Sequence, residues 1–274
     1  MKFCASCQEA RSPTQIVKTS EKQLPEWLSQ IDYVSQFIEG VTSFKKRTPP
    51  RANLRVPVSL GKQHRGKALL FWAAEPSRNP RTIVGARRAY GNFSNHGITT
   101  VNARGEAEIE LQCPQPYKAI PHGGKREHAY HRHIHFCLSN AEKTKWGSMV
   151  YTKVVVCHLS RKETATASKM KTMVLLNALP CEYYGKDHIP NSYNLPYKTA
   201  GKMTEKEVDA WMREVIALHY PKLEKMALHE VPILTYCAHS GCNASELLVQ
   251  ELQKRGYVNL FEFKGGMKKW RGRA

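Results

Sequence analysis

The 274-residue sequence predicts a multidomain protein: an N-terminal, mostly antiparallel β-sandwich with a leading helix, followed by a C-terminal α/β domain. Three observations carry this. Between residues 55 and 160, short β-rich runs alternate with turn residues and no long helical pattern intervenes. Beyond residue 172, apolar strands alternate with helical patterns. Charge changes between the two parts: residues 1–169 hold 27 Lys and Arg against 12 Asp and Glu, whereas residues 170–274 hold 15 against 11.

Residues 1–54 are read as an N-terminal arm and an amphipathic helix. Leu24, Trp27, Leu28, Ile31, Val34, Phe37, Ile38 and Val41 recur at helical spacing, with a stop near Gly40. Thr48-Pro49-Pro50-Arg51 then reads as a connection. Cys4-Ala5-Ser6-Cys7 is half of a zinc-ribbon pattern, but a structural zinc site needs four ligands and the sequence has no second C-x2-C.

Residues 55–160 supply the expected sandwich. Ala68 to Ala73 reads as a buried strand, and Gly105 to Leu111 alternates acid with apolar residues as a half-exposed strand does. His133 to Leu138 and Met149 to Val156 follow as strands. Five histidines fall between 122 and 135, and on a strand His133 and His135 share a face and can converge on one metal ion. The alternative is a histidine pair that lines a core or pocket without a metal.

The polar, threonine-rich stretch 161–171 reads as a linker, and residues 172–274 as the C-terminal domain. Met173 to Leu176 is a buried strand pattern. Thr204-Glu205-Lys206-Glu207 is a capping box that opens a helix with Val208, Trp211, Met212, Val215 and Ile216 on one stripe. Ile233 to Tyr236 is an apolar strand that ends on Cys237. A short loop follows, then a helix through Lys254 with Gly256 as its stop. A cysteine between a strand end and a helix start is expected to face loop N–H groups and the positive helix end, both of which favour the thiolate. The competing expectation is a strand-end cysteine buried as a small hydrophobe.

His188-Ile189-Pro190-Asn191-Ser192, Leu234-Thr235-Tyr236-Cys237 and Gly265-Gly266 with Trp270 stand in the order and spacing of the rhodanese-like (sulfurtransferase) family. The resemblance covers about residues 170–272 and implies a parallel α/β sheet with the active loop at the C-terminal end of a strand. It implies that Cys237 carries a persulfide, taking sulfur from a sulfane donor and passing it to a thiol or cyanide-like acceptor with no cofactor. It further implies an anion cradle from Ala238, His239, Ser240, Gly241, Cys242 and Asn243, with Ser245 adding a hydrogen bond. Residues 238–245 hold no Arg or Lys, which many family members carry. Cys242 could serve as a resolving thiol. A phosphatase on the same scaffold would want arginine where Asn243 stands.

The run Gly105-Glu106-Ala107, Cys113-Pro114-Gln115-Pro116-Tyr117 and Arg132-His133-Ile134-His135-Phe136 is similar to the core of intradiol ring-cleavage dioxygenases. That resemblance spans about residues 85–155 and implies a β-sandwich with non-haem iron held by Tyr117, His133 and His135, with Tyr90 as the second tyrosine. Tyr130 stands where the family has an arginine. The functions weighed are therefore a sulfurtransferase, an iron oxygenase with an accessory second domain, and a non-catalytic interaction protein.

Composition narrows the partners. The chain is basic, with a formal net charge of +19. Its clusters between residues 45 and 126 could hold nucleic acid or an acidic partner, or form solvated loops. No run of 18 apolar residues exists, so no membrane partner is expected. With eight scattered cysteines and no apolar leader after Met1, the expected compartment is the cytoplasm, with the nucleus as the alternative.

Overall fold

The computed structural model describes residues 16–19, 33–77, 79–120 and 125–272. Cys4, Cys7, His122 and the first half of the expected leading helix lie outside them. The chain divides into two compact units, Met1–Arg78 with Ile83–Val155, and Asn79–Thr82 with Val156–Ala274.

In the first unit the elements are β1 (Ile16–Thr19), α1 (Tyr33–Gly40), β2 (Leu54–Ser59), β3 (Ala68–Ala73), β4 (Val84–Gly85), α2 (Ala86–Tyr90), β5 (His96–Thr100), β6 (Glu106–Leu111), β7 (Tyr117–Ala119), β8 (His128–Tyr130), β9 (His133–Leu138) and β10 (Val150–Val154). A five-stranded sheet runs β1-β10-β9-β3-β5 and is antiparallel throughout. β2 and β6 form an antiparallel pair, and β4-β7-β8 form a small sheet in which β4 and β7 run parallel. The alternation in β6 behaves as the sequence predicts: Ala107, Ile109 and Leu111 are buried, while Glu106, Glu108 and Glu110 are not. β3 and β9 are buried on both faces, β3 as its continuous apolar run requires and β9 with His133 and His135 among its buried residues. α1 ends at Gly40, the expected stop, and Phe37 on it stacks on Phe93 at 4.4 Å.

In the second unit the elements are β11 (Cys157–His158), α3 (Arg161–Met170), β12 (Val174–Asn177), α4 (Cys181–Lys186), β13 (Ser192–Asn194), α5 (Tyr197–Ala200), α6 (Glu205–His219), β14 (Ile233–Tyr236), α7 (Ala244–Lys254), β15 (Leu260–Phe263) and α8 (Gly266–Trp270). The sheet runs β11-β15-β14-β12-β13 and every pairing is parallel. β12, β14 and β15 are buried along their whole length, and Val208, Met212, Val215 and Ile216 of α6 close over the same core. The Thr204–Glu207 capping box is formed in both directions.

Two corrections follow. Residues 161–170 are not a linker but the helix α3, because Ser160 and Glu163 make a complete capping box that the polar composition concealed. Against the reducing compartment expected from the cysteine pattern, Cys113 and Cys157 are each in a disulfide, whereas Cys137, Cys181, Cys237 and Cys242 are thiols. No helix among the described residues is long and apolar enough to cross a membrane.

Candidate functional site

Three separated segments of the second unit meet at the loop that follows β14. Strand β14 delivers Cys237 at its C-terminal end, where the sites of open parallel sheets lie. The segment 188–192 is tied to the preceding residue, since the Tyr236 hydroxyl accepts from the Ile189 N–H at 3.1 Å and lies 2.7 Å from Ser192 Oγ. The start of α8 lies against the loop from the other side: the Met267 N–H donates to the Cys237 carbonyl at 2.9 Å and the Lys268 N–H to the Ala238 carbonyl at 2.8 Å. Gly266 sits there at φ +57°, where a Cβ would come within 2.4 Å of the Cys237 carbonyl oxygen.

The loop around Cys237 disfavours a thiolate, against the tendency expected from the strand–loop–helix pattern. Cys237 is fully buried, and burial pushes its thiol upward. Its Sγ lies 3.4 Å from the Cys242 carbonyl and 3.8 Å from the His239 carbonyl, both of which accept from a thiol and repel an anion. Two expected cradle donors are spent inside the loop: the Gly241 N–H donates to His239 Nδ1 at 3.2 Å, and the Cys242 N–H to the His239 carbonyl at 2.9 Å. His239, Ser240 and Asn243 are exposed, Ala238 is half-buried, and Cys242 is the more accessible thiol.

Ser245 is the expected loop residue that reaches the sulfur with its side chain, Oγ standing 3.2 Å from Sγ. The same Oγ lies 2.6 Å from Glu262 Oε1, and Glu262 Oε2 lies 3.1 Å from His158 Nε2. β11 and β15 place His158 and Glu262 side by side in register, and β14 sets Thr235 next to Glu262. Glu262 is buried, yet His158, Ser245 and Lys264 together hold its carboxyl below the ordinary range against the opposing effect of burial. Sequence reasoning missed Glu262 and His158. The available signal was one acid inside the apolar run Leu260-Phe261-Glu262-Phe263, since a carboxylate is almost never buried unpaired.

In the first unit the structure brings Tyr90, Tyr117, His133 and His135 together. Tyr117 Oη is 2.9 Å from His133 Nε2, and Tyr90 Oη is 3.5 Å from the same nitrogen and 3.4 Å from Tyr117 Oη. The His133 and His135 rings lie 4.8 Å apart. All four side chains are buried, and burial pushes His133 down to about 4 and lowers His135 as well, which favours the neutral imidazoles. His133 Nδ1 is 2.7 Å from the His131 carbonyl and His135 Nδ1 is 2.9 Å from Thr152 Oγ1. Each contact fixes a ring and leaves Nε2 as the nitrogen available to a ligand.

These donors fit a metal ion. Atoms bound to one ion at about 2.0–2.2 Å stand roughly 3 Å from one another, the range seen among Tyr90, Tyr117 and His133. Phenolate with imidazole suits iron in particular. Elsewhere, Glu205, Asp209 and His229 bring one ligand atom each within 4.8 Å of one another, a grouping the sequence did not suggest. Part of the basic excess, Lys62, Arg65, Lys67 and Lys143, lines one open concavity of about 630 Å³.

Comparison with known proteins concerns the second unit. No curated protein matches the chain. Among solved structures, a Saccharomyces cerevisiae single-domain sulfurtransferase is 14% identical over 44% of this chain and 92% of its own, with a TM-score of 0.33. The human single-domain sulfurtransferase is 18% identical over 44% of this chain and 99% of its own, with a TM-score of 0.32. A rhodanese-related protein of Thermoplasma volcanium is 17% identical over 43% and 93%, with a TM-score of 0.28. Residues 160–273 match the family model of the rhodanese-like domain.

Proposed function

We propose that the rhodanese-like unit moves sulfane sulfur as a persulfide on Cys237, with Cys242 as the neighbouring thiol that can take up the outer sulfur in a persulfide relay, leaving Cys237 as the thiolate. The observation that supports this best is the meeting of all three family segments at the Cys237 loop, with Ser245 against the sulfur. In the step, Cys237 loses its proton and the sulfur attacks the outer sulfur of thiosulfate. The S–S bond of the donor breaks and sulfite leaves with the electron pair. The persulfide then yields its terminal sulfur to an acceptor thiolate or cyanide. Because the thiol is buried in this state, the exposed residues 239–241 have to yield before a donor reaches it. The test is mass spectrometry after incubation with thiosulfate. A gain of one sulfur on Cys237, lost in Cys237→Ala along with thiosulfate–cyanide turnover, is the expected result. Wild-type protein inert to a panel of sulfur donors refutes the reading.

A second reading concerns the first unit, which we propose holds ferric iron through Tyr90, Tyr117, His133 and His135. The convergence of the Tyr90, Tyr117 and His133 donor atoms, with the His135 ring 4.8 Å from that of His133, favours it over a pocket without a metal. In such a site the iron supplies positions at which a catechol-like diol and oxygen bind. Tyr117 and His133 would then bind the ion in place of their mutual hydrogen bond, while Thr152 and the His131 carbonyl would keep the two imidazole rings in place. We also propose that the sheets of this unit face one another as a sandwich, since Leu70 and Trp72 of β3 share one core with Tyr117 and Ala119 of β7. Loading with iron is expected to give a tyrosinate-to-iron absorption band that Tyr117→Phe weakens. A colourless, iron-free protein after loading refutes the iron site.

A further inference from the structure

Burial leaves Cys237 with a practical difficulty: the nucleophile has to be an anion, and the loop around it presents carbonyl groups. A proton acceptor is needed inside the domain. The described residues offer a continuous chain of hydrogen-bonding side chains from Sγ to the surface. It runs from Cys237 Sγ to Ser245 Oγ at 3.2 Å, from Ser245 Oγ to Glu262 Oε1 at 2.6 Å, and from Glu262 Oε2 to His158 Nε2 at 3.1 Å. Ser245 is fully buried, Glu262 nearly so, and the His158 side chain is 48% exposed. A carboxylate inside a parallel sheet is costly to bury and needs partners on both oxygens, which Ser245 and His158 provide.

We propose that Glu262 is the general base for Cys237, acting through the Ser245 hydroxyl, with His158 holding the far oxygen of the carboxylate at the surface. The proposal rests on the sulfur-transfer reading and names the group that ionises the nucleophile in it. The bonds balance without any further reagent. The Cys237 S–H bond breaks as Ser245 Oγ takes that proton, and the original Oγ–H bond breaks as Glu262 Oε1 takes the other. The net charge of the group is unchanged. The single negative charge moves from carboxylate to sulfur, where the Ser245 hydroxyl then donates to it. Once the sulfur has been passed on, the carboxyl proton returns along the same path.

The order of the chain also says why a relay is required. An ordinary thiol and an ordinary carboxyl differ by about four pK units, so the thiolate–carboxylic acid pair is a minor state, reached as the sulfur attacks. The hydrogen bonds of His158 and Ser245, with the nearby Lys264 charge, keep Glu262 ionised and so able to accept a proton, while making it the weaker base, so the acid–thiolate pair is the more transient. Cys242 and Ser245 are the groups that face Cys237, and Ser245, His158 and Lys264 those that face Glu262. Ser245 touches the reacting atom, whereas Glu262 and His158 act through it and are positioning residues.

The experiment measures iodoacetamide alkylation of Cys237 by mass spectrometry, alongside the thiosulfate sulfur adduct, in wild type, Ser245→Ala and Glu262→Gln. Circular dichroism establishes that each variant is folded; if Glu262→Gln is not, Ser245→Ala carries the test. The expected result is alkylation and adduct formation about a hundredfold slower in both variants, the usual scale of a lost general base. The wild-type turnover number is also expected to fall in D2O, an effect that Ser245→Ala abolishes and that lost packing would not produce. Unchanged rates in both variants overturn the relay, as does faster alkylation in Glu262→Gln, which would make Glu262 an anion that restrains the thiol. A Cys237 that resists the reagent throughout the alkaline range also overturns it. The two readings separate cleanly: an adduct that forms equally fast in all three proteins leaves sulfur transfer standing without the relay. Variant-sensitive alkylation with no sulfur adduct from any donor leaves the relay standing without sulfur transfer.

Discussion

Gly266→Ala tests how tightly the loop at Cys237 is held. Gly266 has φ +57°, a region in which an L-residue costs roughly 1–2 kcal/mol relative to glycine. The added Cβ would stand 2.4 Å from the Cys237 carbonyl oxygen, 2.7 Å from the Ala238 carbonyl carbon and 2.7 Å from the His239 nitrogen. These are backbone atoms and cannot swing aside as a long side chain does. They are also held by the Met267 and Lys268 N–H groups, which donate to the two carbonyls. Overpacking of this kind costs about 1–3 kcal/mol, so the sum is about 2–5 kcal/mol, a large part of the roughly 5–15 kcal/mol that stabilises a typical domain. Urea denaturation followed by fluorescence measures it. A loss below about 1 kcal/mol refutes the geometry, because neither the backbone penalty nor the contact could then be real. If the domain survives, the loop must have shifted, and the alkylation rate of Cys237 is expected to change with it.

Three further outcomes are expected. Thr204→Ala removes the reciprocal cap of α6 and is expected to lower stability by about 1 kcal/mol in the same denaturation; no change refutes the cap as a contributor. Glu262 has a depressed carboxyl, so the unfolded chain binds its proton more readily, and the stability that Glu262 contributes is complete above the ordinary carboxylate range and lost as pH falls through the folded value. Wild type is therefore expected to lose stability against Glu262→Gln on acidification, and parallel curves would refute the shift. The concavity lined by Lys62, Arg65, Lys67 and Lys143 is expected to bind a random DNA duplex with a log–log salt slope of about −3 to −4, one step for each phosphate neutralised. Binding indifferent to salt, or none at low salt, removes nucleic acid as a partner of this face.

What the sequence showed and what it hid have physical causes. Short-range pattern reports elements well where one face is wet: the acids of β6 and the capping box of α6 are visible because side chains three residues apart, or on alternating faces, meet in the final fold. Chemistry assembled across the sheet is invisible to such patterns. His158 and Glu262 are neighbours because β11 and β15 pair in parallel, over a hundred residues apart in sequence, and no local rule announces it. In the first unit, strand alternation made the His133 and His135 pair legible, whereas Tyr117 and Tyr90 entered only through a family likeness. Even there, the position of Tyr90 on α2 became definite only with the fold.

The same reasoning explains why a strand-end cysteine before a helix need not favour the thiolate. A strand end beside a helix start settles where the sulfur stands, but its charge depends on which backbone groups the loop turns inward. Here the loop satisfies two of its own N–H groups with His239 and leaves carbonyls towards the sulfur. Chain position therefore places the sulfur, and loop conformation bears on its protonation. Activation then falls to groups outside the loop, and the one buried carboxylate in contact with Ser245 is where that requirement leads.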